Sequence, residues 1–229
     1  MSDIERLKFE AANAAIDFIK DDMVVGLGSG STASYAIEAL GKKVASGLKI
    51  LAIPTSEQSR SLAQKYGIQL TTFAENPVID ITIDGADQVE LKSLNLVKGL
   101  GNALLGEKIV ALASKKLIIM VDEHKLVDCL GNKTPLPLEI VPFGWELTRQ
   151  IVSQHGCNAT LKLDSNNKAI ITDSNHYILN CQFPKIENAR KLDKDLKLIT
   201  GVVETGLFVN MADLVIVAKQ SDVITLQRE

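Results

Sequence analysis

The chain has 229 residues, 46% hydrophobic and 23% charged, and carries a formal net charge of −3. That length suits one large domain, or a medium domain with a smaller companion, and allows a sizeable core. The slight acidity without any basic run argues against a nucleic-acid surface, and no eighteen successive apolar residues indicate a membrane span.

The first expected element is a helix over 4–20, where Ile4, Leu7, Ala11, Ala15 and Ile19 recur at helical spacing behind acidic Asp3 and Glu5. It is charged and amphipathic and lacks the apolar core of a signal peptide. "MVVGLG" reads as a β-branched strand ending in glycine, and "STASYAIEAL" as a helix. "LKILAIP" is the next strand. "TSEQSRSLAQKYG" then reads as a helix, with Thr55 and Gln58 spaced as a capping box and Gly67 as its C-cap. "VIDITID" alternates like a strand, "NALLGEKIVALASK" is helical, and "KLIIMVD" is a buried strand. Strands alternating with helices predict an α/β fold, a mainly parallel, Rossmann-like sheet with helices on both faces.

The pattern changes near Gly131, where "NKTPLPLEIVPFGW" carries three prolines. "WELTRQIVSQHG" reads as a helix, and "NATLKLDSNNKAIITDSNHYILNCQF" as three strands joined by Asn, Asp and Ser turns. "KIENARKLDKDL" is helical again, and "ITGVVETGLF" returns to strand character. This block predicts a smaller α+β, ferredoxin-like domain over 131–204, with the Rossmann-like domain over 1–130 and 205–229. The two apolar runs of "ADLVIVAKQSDVITL" are expected to rejoin the first sheet. Cys129, Cys157 and Cys181 are odd in number and far apart, so they read as reduced thiols of a cytoplasmic protein. His124, His155 and His176 are scattered and read as surface or helix-end residues. No metal site is expected.

"VVGLGSGSTASYAI" sets Gly26, Gly28 and Gly30 between a strand and a helix start. Unpaired N–H groups and the helix dipole suit an anion there, with Ser29, Ser31 and Thr32 adding hydroxyls. The same residues also describe a tight turn whose Ser and Thr cap the helix. The stretch lacks the G-x-G-x-x-G and G-x-x-x-x-G-K-[ST] patterns, so a small phosphorylated metabolite fits better than a nucleotide.

"TIDGADQVELKSLNLVKGLGNALLGEK" is the second candidate. Asp84 falls at the carboxyl end of a parallel strand, where α/β sheets bind ligands, and Asp87 follows Gly85 and Ala86. "DGAD" also reads as an ordinary turn. Lys98, before Gly99 and Gly101, suits a developing oxyanion or is a surface lysine before a loop. Glu107 and Lys108 taken alone would be a solvated helix face; beside a phosphate cradle, two carboxylates and an ammonium, Glu107 becomes a candidate base. With a sugar phosphate, that set suggests proton transfer next to a carbonyl.

"GLGSGSTA", "IPTSEQSR", "TIDGAD", "LVKGLGNALLGEK", "VDEHKLV", "PLPLEIVPF" and "GVVETGLF", in this order and spacing, resemble the type A ribose-5-phosphate isomerase family over nearly the whole chain. The resemblance implies interconversion of ribose 5-phosphate and ribulose 5-phosphate without metal or organic cofactor, and a homodimer or homotetramer. It places Ser29, Gly30, Ser31, Thr32, Asp84, Gly85, Ala86, Asp87, Lys98, Gly99, Leu100, Gly101 and Lys125 around the substrate. Glu107 becomes the proton acceptor, and Lys8 a basic residue reaching the phosphate. Asp84, Asp87 and Lys98 join Glu107 as catalytic candidates. Gln88 stands where the family usually has Glu, Leu100 and Asn102 thin its glycine run, Gly106 replaces its usual arginine, and His124 a commoner serine. A non-catalytic sugar-phosphate sensor is the alternative, and a sugar-phosphate deaminase or lactonase a further one.

Overall fold

The computed structural model describes residues 2–228. It divides into two compact units, one of Met1–Ala86, Gly106–Leu126 and Met211–Glu229, the other of Asp87–Leu105 and Val127–Asn210. The elements begin with α1 (Asp3–Ile16), β1 (Val24–Leu27), α2 (Ser31–Ala45), β2 (Leu51–Pro54), α3 (Glu57–Lys65) and β3 (Ile81–Gly85). Next come β4 (Gln88–Glu90), β5 (Leu96–Val97), α4 (Leu104–Leu112), β6 (Leu117–Asp122), β7 (Leu126–Val127) and β8 (Leu136–Ile140). The remainder are α5 (Trp145–Ser153), β9 (Asn158–Leu161), β10 (Tyr177–Gln182), α6 (Ala189–Lys197), β11 (Val202–Thr205), β12 (Leu207–Phe208), β13 (Leu214–Ala218) and β14 (Val223–Gln227).

The first unit is built on a six-stranded sheet in the order β14-β13-β6-β3-β1-β2. Every neighbouring pair is parallel except β13 with β14. Its inner strands are apolar nearly throughout ("VVGL", "LIIMVD", "LVIVA"), because a parallel sheet is covered on both sides. Within β1, Val25 and Leu27 join the core formed with Leu7, Ala11 and Ala15 of α1, Ile37 and Leu40 of α2, and Ala63 of α3. Val24 points the other way and packs with Ile53, Ile79 and Val110 of α4. Helices thus cover both faces, as the alternating pattern predicts. The last two strands rejoin this sheet, also as expected.

Strand order reverses beside β1, since β2 lies on one side of it and β3 on the other. The crevice beyond the carboxyl ends of such strands is where open α/β sheets take ligands. The loops after β1, β2 and β6 carry Ser29, Thr55 and Lys125 to that edge, where Gly85 ends β3.

Two local expectations change in this unit. Helix α1 stops at Ile16, four residues early, because Phe18 and Ile19 donate to Ala15 and Ile16 in tightened turns. The capping box of α3 is Ser56 with Ser59, one residue beyond the expected pair. The Thr55 hydroxyl instead donates to the Leu27 carbonyl at 3.0 Å and so ties β2 to β1. Gly67 follows Tyr66 at φ 70°, closing α3 as expected.

The second unit contains β8-α5-β9-β10-α6-β11, whose antiparallel sheet has the order β11-β8-β10-β9. That connectivity and order are ferredoxin-like. Leu136, Leu138 and Ile140 of β8 alternate into a core with Val152, Leu179, Cys181 and Leu196. Of the three strands expected over 158–183, only β9 and β10 form. The middle run makes a single bridge, Leu163 with Ala169, because Thr172 turns inward and donates to Glu139 at 2.8 Å. His176 is half-buried, and its Nδ1 lies 3.0 Å from the buried Glu139 carboxylate. His124 and His155 are exposed.

Residues 87–105, 127–130 and 205–210 group with this second unit, whereas the sequence reading put them in the first domain. The reason is packing: Val97, Val127, Leu130 and Leu207 share the core of β8 and β10. Gly206 separates β11 from β12, and β12 pairs with β5 in a second, smaller sheet.

Candidate active site

In the first unit the glycine loop between β1 and α2 is held against the end of β3. Gly28 N–H donates to the Ile83 carbonyl at 3.0 Å, and Ser29 N–H to Asp84 Oδ1 at 3.2 Å. Gly85 N–H donates to the same Oδ1 at 2.7 Å. Glycine at 28 is required by approach: a Cβ there would lie 2.1 Å from Asp84 Oδ1. Asp84 itself is 1% exposed, at the end of β3. A charged group buried so deeply needs such donors, and Asp84 thereby organises the loop that faces it.

The Ser29 hydroxyl shares hydrogen bonds with Thr55 Oγ1 at 2.7 Å and Ser56 Oγ at 2.6 Å. Neither Ser nor Thr caps α2. Its N-cap is Gly30, at φ 89°, a left-handed conformation open to glycine, and no side chain bonds the first-turn amides. Those N–H groups and the dipole behind them suit an anionic ligand. The Lys8 ammonium reaches the same turn from α1, donating to Ser31 Oγ at 2.9 Å. Thr32 is half-buried beside Gly85. Lys125 ends the single 3-10 turn that follows β6, where Asp122 accepts the His124 N–H at 3.1 Å.

Glu107 and Lys108 are 5% and 6% exposed, so this pair is not a solvated face. Gly106 explains how their helix comes so close to the sheet edge. A Cβ at Gly106 would lie 2.1 Å from the Thr55 carbonyl oxygen, so α4 is seated directly on the Thr55 backbone. The Glu107 helix, Thr55, Ser29 and Asp84 therefore form one connected constellation.

The second unit carries Asp87 and the loop of Lys98–Gly101. Asp87 N–H donates to the Val97 carbonyl at 2.8 Å, and Asp87 Oδ2 accepts the Leu100 N–H at 2.9 Å. The Leu100 amide is thus engaged by Asp87. Asn102, at φ 67°, donates to the Gly99 carbonyl at 3.0 Å and closes the turn. Lys98 is 2% exposed, with its ammonium 5.4 Å from the Phe208 ring centroid, a cation–π distance. Lys162, absent from every sequence expectation, donates to the Leu100 carbonyl at 2.5 Å across 62 residues. Thr55 in "IPTSEQSR" reads only as a capping residue, and Ser56, which bonds the Ser29 hydroxyl as Thr55 does, carries no expectation there. Among the described residues, no three His, Cys, Asp or Glu side chains stand together as a metal site.

Residues 51–222 match the family described as Ribose 5-phosphate isomerase A (phosphoriboisomerase A). The chain belongs to that family. It is 48% identical to Ribose-5-phosphate isomerase A of Gloeobacter violaceus over 98% of this chain and 97% of that one. It is also 48% identical to the protein of that name from Gluconobacter oxydans, over 95% and 94%. Among solved structures, a D-ribose-5-phosphate isomerase in complex with phospho-erythronic acid superposes with a TM-score of 0.96, at 39% identity over 99% and 100% of the two chains. The ribose 5-phosphate isomerase A of Methanocaldococcus jannaschii gives 0.94, at 38% identity over 98% and 99%. These relatives lend the sensor alternative no support.

The structure gives physical content to the departures from the usual family pattern. Gln88, in place of Glu, is fully buried and uses both ends of its amide. Nε2 donates to Thr134 Oγ1 at 2.7 Å and to its carbonyl at 3.2 Å, while Oε1 accepts the Gly131 N–H at 2.9 Å. A carboxylate could not donate there. Asn102 tolerates its left-handed backbone. Gly106, in place of arginine, matters for space, since any side chain would start against the Thr55 carbonyl.

Proposed function

We propose that the chain interconverts D-ribose 5-phosphate and D-ribulose 5-phosphate through an enediolate, in the non-oxidative branch of the pentose phosphate pathway. The observation that carries the reading is the buried Glu107 on a helix seated against Thr55, within a chain that matches its relatives along nearly its whole length. In this reading the phosphate sits on the α2 N-terminus with Ser31, Thr32, Lys8 and Lys125. Asp84 assists ring opening. Glu107 takes the C2 proton as the aldehyde oxygen O1 gains charge. A proton then passes from O2 to O1, the charge moves to O2, and Glu107 returns its proton to C1 as the C2 carbonyl forms. Lys98, with Gly99 and Gly101, stabilises the charged oxygen, and Asp87 holds the loop through Leu100. Each donor so placed is worth about 3–4 kcal/mol in such sites.

In deuterium oxide the purified protein is expected to turn ribose 5-phosphate into ribulose 5-phosphate carrying solvent deuterium at C1. Ketose formed without label would point to a hydride shift and refute the proton transfer; binding without turnover would favour the sensor.

Homodimer or homotetramer assembly is also part of the proposal, as is a cytoplasmic location. Support for assembly comes from exposed apolar residues after β8, in α5 and at the end of α6: Phe143 is 93% exposed, and Leu147 and Leu198 are exposed as well. A Val141 N–H to Gly201 carbonyl bond of 2.8 Å ties these connections together. A mass of one chain by light scattering at micromolar concentration would overturn the assembly. The three free cysteines fit a reducing compartment, and no described helix is long and apolar enough to cross a membrane.

A further inference from the structure

Lys162 lies at the end of β9, far in sequence from both glycine loops, and is half-buried. Its ammonium donates to the Leu100 carbonyl. Burial pushes its pKa down, and the nearby Asp87 carboxylate pushes it back up. An amine whose burial opposes its charge, held near a carboxylate and a carbonyl, is a built contact and not a passing surface lysine.

What that contact does follows from peptide geometry. Among the described residues no peptide bond is cis, and in a trans peptide the C=O and the following N–H point in opposite directions within one plane. The plane before Leu100 is pinned at both ends: its N–H by Asp87, its Gly99 carbonyl by Asn102. In the plane after Leu100, Lys162 grips the carbonyl, so the Gly101 N–H must point away from Lys162. Gly101 is exposed, and a Cβ there would meet nothing within 4 Å. Gly101 has no side chain to resist rotation of this peptide, and the ammonium restrains it from the Leu100 side.

We propose that Lys162 is a positioning residue for the isomerisation: by holding the Leu100 carbonyl, it aims the Gly101 N–H as an oxyanion donor. This deepens the isomerase reading and rests on it. Asp87 and Lys162 then act as a pair of clamps on either side of Leu100, one gripping its N–H and the other its C=O. The substrate itself touches neither clamp in this scheme. Removing one clamp misaims a donor without removing it, so the loss should be smaller than deletion of a donor and should fall on the charged state.

The test compares Lys162→Met, which keeps the stem and loses the charge, with Lys162→Arg. K162M should lose about tenfold or more in kcat, with KM for ribose 5-phosphate within about twofold of wild type. K162R should recover most of the loss, since a guanidinium can also donate to the carbonyl. K162M that keeps kcat within twofold overturns the proposal. So does an equal loss in both variants, because the effect would then follow packing and not charge. The Gly101 amide NMR signal gives a readout that needs no turnover. Its shift should move in K162M and return toward the wild-type position in K162R, and an unchanged Gly101 shift in K162M overturns the clamp. A wild-type chain without isomerase activity would refute the proposed function alone. Should K162M not fold, Lys162→Gln supplies the same comparison.

Discussion

Replacing Glu107 by glutamine is expected to abolish most turnover while leaving sugar-phosphate binding in place. The substitution keeps the size of a side chain that is 5% exposed, so packing on α4 should survive. What disappears is the ability to accept a proton from C2. Positioned acid–base catalysis contributes a factor of about 10² to 10⁴, and kcat should fall by at least that range because no second carboxylate is proposed to take over the base. Lys8, Lys125 and the α2 N-terminus are untouched, so KM should stay within a few-fold. Steady-state kinetics, with a thermal shift on adding ribose 5-phosphate, separates the two effects. A variant that binds and turns over normally would remove Glu107 from the reaction.

Gly106→Ala should cost about tenfold to a hundredfold in kcat, although the residue touches no substrate in the proposed scheme. The new Cβ would begin 2.1 Å from the Thr55 carbonyl oxygen. Backbone cannot swing aside as a long side chain would, so α4 must lift or the β2–α3 loop must retreat. Either movement changes how Glu107 stands relative to Ser29, because the Thr55 hydroxyl is bonded to Ser29 at 2.7 Å. Misplacing a catalytic group by about 1 Å can cost on the order of 10²-fold, and forced overpacking typically costs about 1–3 kcal/mol of stability. Kinetics and thermal unfolding of the variant check both. Turnover and melting like wild type would show that the seat on Thr55 is not tight.

Much of this protein was legible in one dimension. Alternating apolar strands and amphipathic helices specified a parallel sheet covered on both faces, because burial on two sides leaves strands such as "LIIMVD" without a polar face. Glycines between a strand and a helix announced the β1–α2 loop, and the strand run placed Asp84 at the carboxyl end of β3. Motif order carried the family. Boundaries were read less well where a residue had two possible partners. Thr55 could have capped α3 as its spacing suggested, yet its hydroxyl is committed to the Leu27 carbonyl, leaving the cap to Ser56. The stretch from Lys168 to Thr172 looks like a strand, but Thr172 turns toward the Glu139 carboxylate and draws the segment out of the sheet.

Other features were decided by contacts that no local pattern encodes. Nothing near Lys162 predicts its grip on Leu100, since the contact joins positions 62 residues apart. His176 reads as a surface histidine until β8 brings a buried glutamate within 3.0 Å. A neighbouring Glu and Lys on a helix are usually solvated; here Gly106 lets the helix settle so closely that both are buried. Periodicity and turn chemistry report on residues within a few positions of one another, and they determined the elements and the glycine loops of this chain. Which carbonyl an ammonium reaches, and how near a helix can come to a loop, depend on packing between distant segments, so only the tertiary structure settled them.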